Sequence, residues 1–198
     1  MQDDIAEAKV LASRASSSSA KEQHSTIVPL VKLLGSSSLE VQEVTTQALW
    51  CVASLKDSNA LVVAEGAIPL LVKLLGSSSL KVQENAAGTL SCLATLKDSK
   101  AKVVAEGAIP PLVKLLGSSS LMVQQIVAMA LLCLATPGGN FVKVVAAGAI
   151  PPLVKMLASS SVEVRQLAVE ALHNLASEPG IKKLIEEAGA YCNPLMIH

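Results

Sequence analysis

One octapeptide recurs along this chain at a fixed interval, and that interval limits the folds open to it. Val-Lys-Leu-Leu-Gly-Ser-Ser-Ser begins at Val31, Val72 and Val113, and a diverged copy, Val-Lys-Met-Leu-Ala-Ser-Ser-Ser, begins at Val154, each step being 41 residues. Ala-Glu-Gly-Ala-Ile-Pro keeps the same interval from Ala64 to Ala105, followed by Ala-Ala-Gly-Ala-Ile-Pro at Ala146. A unit of this size cannot bury its own apolar stripe, so its copies must stack on one another.

Each unit reads as three helices. In the copy spanning Lys56 to Leu96, Asp57 and Ser58 are competent N-caps for a short helix that runs to Glu65. Gly66 supplies the left-handed residue that closes a helix end. Pro69 falls in the first turn of the second helix, where its missing N–H is harmless, and Gly76 ends that helix. The Ser77-Ser78-Ser79 loop offers the cap of a long third helix, expected from about Leu80 to Leu96, with Leu80, Val82, Ala86, Leu90, Leu93 and Ala94 at helical spacing. Capping boxes are expected for Ser37 with Glu40 and for Ser160 with Glu163, and Asp98-Ser99 reads as a further cap. At the ends, Ile5 to Ser13 aligns with Thr46 to Ser54 as a degenerate third helix, Ser16 to Ser19 replaces a regular first helix, and Ile181 to Glu187 is a first helix.

Composition removes several function classes. The longest uninterrupted apolar run is the ten residues Ile126 to Ala135, about half of what a membrane-spanning helix needs, and the Met-Gln-Asp-Asp start is no secretory signal. The expected location is cytoplasmic or nuclear. Sixteen basic residues balance sixteen acidic ones without a run of either sign, which argues against a nucleic-acid partner. Cys51, Cys92, Cys133 and Cys192 show no zinc spacing. The first three repeat at the 41-residue interval, and helices packed 8–10 Å apart would keep equivalent thiols beyond disulfide reach. His24, His173 and His198 lack a carboxylate or thiol at catalytic spacing, although His173 beside Asn174 could sit at a groove rim. No catalytic residue, metal or cofactor is expected. Lys32, Lys73, Lys114 and Lys155 read as a solvated ladder on the second helices, Gly138-Gly139 as a turn, and Phe141 as an isolated exposed aromatic marking a second contact.

Gly-Ala-Ile-Pro-x-Leu-Val-Lys-Leu-Leu followed by x-Val-Gln-x-x-Ala-x-x-x-Leu-x-x-Leu-Ala resembles the armadillo repeat of β-catenin, importin-α and plant ubiquitin-ligase adaptors, over about Ile27 to Ala190. The resemblance implies an all-α, right-handed α-α superhelix of three-helix repeats: one domain over 1–198, with a degenerate half repeat (1–26), four units (27–67, 68–108, 109–149, 150–190) and a tail (191–198). It also implies a concave groove of third helices that binds an extended peptide through a Trp ladder and an Asn ladder. Here the Asn position holds Cys51, Cys92, Cys133 and Asn174, and the Trp position holds Gln47, Gly88, Met129 and Glu170. One Asn of four and no Trp remain, which argues against importin-like capture of basic localisation peptides.

The copies themselves indicate a site. Superposed, the third helices keep Val41, Val82, Val123 and Val164, and Leu49, Leu90, Leu131 and Leu172. They change chemical class at Glu40/Lys81/Met122/Glu163, Val44/Asn85/Ile126/Leu167 and Gln47/Gly88/Met129/Glu170, with the Cys51 position four residues on. These positions share one helical face, as a recognition surface on a constant scaffold would; drift on a solvated face gives the same pattern. Gly88 is costly inside a helix unless something must approach closely. Repeat three is apolar on this face and repeat four acidic, which predicts a peptide or helix with an apolar anchor and a basic residue; Met122 and Ile126 packing into the neighbouring repeat is the competing reading. The function expected is a non-catalytic protein-interaction scaffold. The alternative is a self-associating solenoid module, or a consensus-like repeat scaffold, that forms homo-oligomers through its ends or its apolar face.

Overall fold

The serine loops start the third helices. In a computed structural model describing residues 2–15, 20–55, 58–135 and 140–189, Ser38, Ser79, Ser120 and Ser161 each hold extended backbone and accept a hydrogen bond from the amide three residues on, at 3.3–3.4 Å. Each cap amide is itself held by the hydroxyl two residues back, as in Ser77 Oγ accepting from Ser79 N at 3.2 Å. The cap is therefore the last serine of each triplet, not Ser37 or Ser160, and the expected capping boxes do not form in that register. Gln42, Gln83 and Gln124 donate through Nε2 to the carbonyls of Ser36, Ser77 and Ser118, and Arg165 does so to Ser159, all at 2.7 Å. That bond, repeated every 41 residues, ties each third helix to the loop that precedes it.

Thirteen helices and no strand are found among the described residues. The chain divides into two compact units, 1–108 and 109–198, and the division falls at a repeat boundary. In the first, α1 (Gln2–Ala15), α3 (Leu39–Ala53) and α6 (Leu80–Leu93) stack in sequence, backed by α2 (Ala20–Leu33), α4 (Asn59–Ala64), α5 (Ala67–Leu74) and α7 (Lys97–Ala105). The degenerate third helix expected near Ile5 is α1, packed on α3. In the second unit, α9 (Leu121–Leu134) packs on α12 (Val162–Leu175), with α8 (Ile109–Leu115), α10 (Asn140–Ala146), α11 (Ile150–Met156) and α13 (Pro179–Glu187) around them.

The core follows the constant positions: Val41, Val82, Val123 and Val164 are fully buried, as are Leu49, Leu90 and Leu172. Gly66, Gly107, Gly148 and Gly189 all have φ between 76° and 83°, the left-handed value that the Gly-Ala joint between helices requires. Some local expectations fail. The third helix of repeat two ends at Leu93. Ser58 is the N-cap residue of α4 but makes no side-chain cap bond, and α7 begins at Lys97 with Leu96 as cap residue, so Asp98 lies within the helix. Phe141, expected to be exposed, is 3% exposed in α10. The expectations for Asp57, Ser16–Ser19, Pro137–Gly139, Cys192, His198 and the 191–198 tail fall outside the described residues, as does the His24 side chain.

Candidate functional site

The constant core positions orient each third helix, and the variable positions follow from that orientation. In the first unit, α3 presents Glu40, Gln47 and Cys51 to solvent with Val44 partly covered. Lys9 of α1 reaches Glu40 at 3.0 Å, an exposed pair. On α6, Lys81 is exposed and pairs with Glu84 at 2.9 Å, and Cys92 is partly covered. Asn85 and Gly88 are buried, which corrects the expectation that they belong to the recognition surface with the other variable positions.

Each of these two is covered by α3. Asn85 donates through Nδ2 to the carbonyl of Glu43 at 3.3 Å and to Thr46 Oγ1 at 3.2 Å, while its own Oδ1 is buried without a partner. Gly88 lies against the indole of Trp50, so what approaches the glycine closely is a side chain of the preceding repeat. Thr46 Oγ1 donates independently to Gln42 O at 2.7 Å. Asn85→Leu therefore strands no donor and removes an orphaned acceptor; it is expected to leave stability within about 1 kcal/mol of wild type or raise it, as read from urea midpoints.

In the second unit the face is more open. Met122 and Met129 of α9 are 51% and 50% exposed, two helical turns and about 10 Å apart. Between them Ile126 is 7% exposed, so of the residues proposed to tuck inward Ile126 does and Met122 does not. Cys133 is partly covered. On α12, packed beside α9, Glu163 and Glu170 are exposed at the same register positions, with Leu167 and Asn174 partly covered. The Ser161 hydroxyl donates to Glu163 at 2.7 Å. That bond first, and the residue's own amide second, hold the Glu163 carboxyl below its ordinary value; desolvation opposes them, and the Arg165 charge adds a lesser lowering. Among the described residues no ion pair engages Glu170.

Glu170 also borders a cavity of about 460 Å³ along α12, lined by Val162, Arg165, Gln166, Val169 and His173. Of these the sequence singles out only His173, as a candidate for a groove rim. The others lie on the flank that corresponds to the side of α3 covered by α6, where Trp50 meets Gly88. A second cavity of about 520 Å³ lies on the serine-loop side of this unit and includes Lys155, one of the exposed lysine ladder, with Met156 and Gln124. Among the described residues no cluster of His, Cys, Asp and Glu is arranged to hold a metal, and no helix is long and apolar enough to cross a membrane.

Comparison with known proteins agrees with this architecture. The armadillo/beta-catenin-like repeat matches residues 60–95 and 139–177, and a HEAT-like repeat matches residues 82–131. No curated protein matches the sequence. Among solved structures, a computationally designed armadillo repeat protein for modular peptide recognition is 33% identical, with a TM-score of 0.84 over 92% of this chain and 80% of its own. A designed armadillo repeat protein in complex with the peptide (KR)4 is 32% identical, with a TM-score of 0.82 over 97% of this chain and 82% of its own. With its 41-residue repeats, capped third helices and these relatives, the chain is an all-α solenoid that belongs to the armadillo-repeat family.

Proposed function

We propose that this armadillo-repeat chain is a non-catalytic scaffold that binds an extended peptide across the third helices α9 and α12. The observation that carries the reading is the pairing of two half-exposed methionines with two exposed carboxylates on the adjoining helix. Methionine is flexible and polarizable, which suits it to side chains of varied shape. Glu163 and Glu170 stand about 10 Å apart along α12, and helices at packing distance separate them from the methionines by roughly 8–10 Å. An extended chain covers that gap in two to three residues at about 3.3 Å each. The ligand is accordingly a segment with Leu, Met or Phe two or three residues from Lys or Arg. The designed relative held with (KR)4 supports the basic residue; the apolar anchor is argued from Met122 and Met129 alone.

Random-peptide display against wild type and a Met122→Glu, Met129→Glu variant tests this. Both residues are exposed, so the variant should keep its fold, verified by helical circular dichroism. Peptides carrying the apolar-basic pair should be enriched on wild type, and their affinity should fall at least tenfold on the variant, about 1.4 kcal/mol. Enrichment that is indifferent to the two substitutions would overturn the assignment.

A further inference from the structure

One repeat treats a shared register position differently from the other three. Gln47, Met129 and Glu170 are exposed, whereas Gly88 is buried. A Cβ built on Gly88 would fall 2.4 Å from Trp50 Cε2, 2.7 Å from Cδ2 and 2.8 Å from Cζ2. These atoms are the fused bond of the indole and its neighbour in the six-membered ring, so α6 meets the face of the ring and not its rim. The ring remains partly exposed. One helical turn before Gly88, Asn85 is 0% exposed and bonded to α3. The part of α6 between Lys81 and Cys92 that would otherwise receive a ligand side chain is therefore occupied by the protein itself.

We infer that Trp50 is a specificity-determining residue that closes the repeat-two subsite by lying over Gly88, so that a bound peptide has its side chains read by the α9–α12 face and not by α6. The inference rests on the peptide-binding reading above. Its physical basis is exclusion: the space a side chain needs against the glycine backbone is filled by an indole, and no other repeat has a glycine at that position. The residues that correspond to Trp50 are Ser91, Leu132 and His173, all smaller, so the closure is peculiar to the α3–α6 pair.

Trp50 is the only tryptophan in the chain, which makes the wild type its own reporter. Saturation with peptides enriched on wild type should leave the emission maximum and the iodide quenching of Trp50 unchanged. Trp50→Leu, which installs the residue found at Leu132, should open the subsite. Display on that variant should enrich peptides with an aromatic residue absent from the wild-type consensus, bound about tenfold more tightly than by wild type, on the order of what a well-seated aromatic anchor supplies. Affinity for the wild-type consensus should stay within about twofold, well under the 1.4 kcal/mol that a tenfold change represents. A Trp50 emission shift on saturation, loss of the wild-type consensus by Trp50→Leu with its helical dichroism intact, or no new aromatic preference would each overturn the closure. If Trp50→Leu does not fold, Trp50→His takes its place, with the same readouts. Loss of the α9–α12 reading shows separately, as indifference to the Met122→Glu, Met129→Glu variant, and leaves the aromatic gain on the Trp50 variant measurable.

Discussion

Gly88→Ala is expected to lower stability by about 1–3 kcal/mol, the usual range for overpacking a filled interior. On an exposed helix the same change would stabilise by about 1 kcal/mol, since alanine is the better helix former. The sign reverses because the added methyl meets three ring atoms of Trp50 at 2.4–2.8 Å. An indole is rigid, so it must swing off α6 as a whole and give up its contact there. Urea unfolding reads the loss, and the Trp50 emission should move to longer wavelength in the folded variant as the ring enters water. Trp50→Leu should blunt the effect, so that the double variant is less destabilised than the sum of the singles, which is the mark of two residues in direct contact. Additive losses, or a gain in stability from Gly88→Ala, would show that the ring does not rest on the glycine.

The contrast between Gly88 and its register partners shows how far the sequence can be read. The period, the three helices and the left-handed glycines were all legible, because each depends on local chemistry that repeats: a hydroxyl three residues before an amide, a proline in a first turn, a glycine at a joint. The cap was legible only to within one residue. Three serines in a row offer three hydroxyls, and the choice of Ser38 over Ser37 depends on Ser36 holding the Ser38 amide at 3.2 Å. The candidate site was legible as a list of positions and not as a surface. A face defined by steps of four and three residues straddles the line between solvent and the neighbouring repeat. Which side a residue falls on depends on a partner about 40 residues away, as Asn85 does on Glu43 and Thr46. Phe141 fails as an expected exposed aromatic for a related reason, since alignment against Asn59 and Lys100 carries polarity but not packing; Asn59 itself is buried and donates to the Cys92 carbonyl at 3.3 Å.

Ile126→Glu should be the most damaging substitution on the variable face, although by pattern it belongs with Met122 and Met129. Ile126 is 7% exposed. The variant loses the burial of an aliphatic side chain, about 1.5–3 kcal/mol, and must also either ionise a carboxyl in an apolar setting or hold it protonated. The expected total is about 3–5 kcal/mol, a large share of the 5–15 kcal/mol typical of folded domains. Burial raises the folded-state pKa of the introduced carboxyl above its unfolded value. The folded state then binds the proton more tightly, so the damage should ease as pH falls into the carboxylate range and grow as pH rises out of it. Met129→Glu, at a side chain 50% exposed, should stay within about 0.5 kcal/mol of wild type at any of these pH values. Parallel thermal melts of the two single variants across that range separate a core position from a ligand-facing one. Equal, small losses for both would place Ile126 on the open face and return it to the peptide site; a large, pH-dependent loss for Ile126→Glu alone means that any binding defect in that variant reports the fold, and that contact with the ligand is to be read from Met122 and Met129.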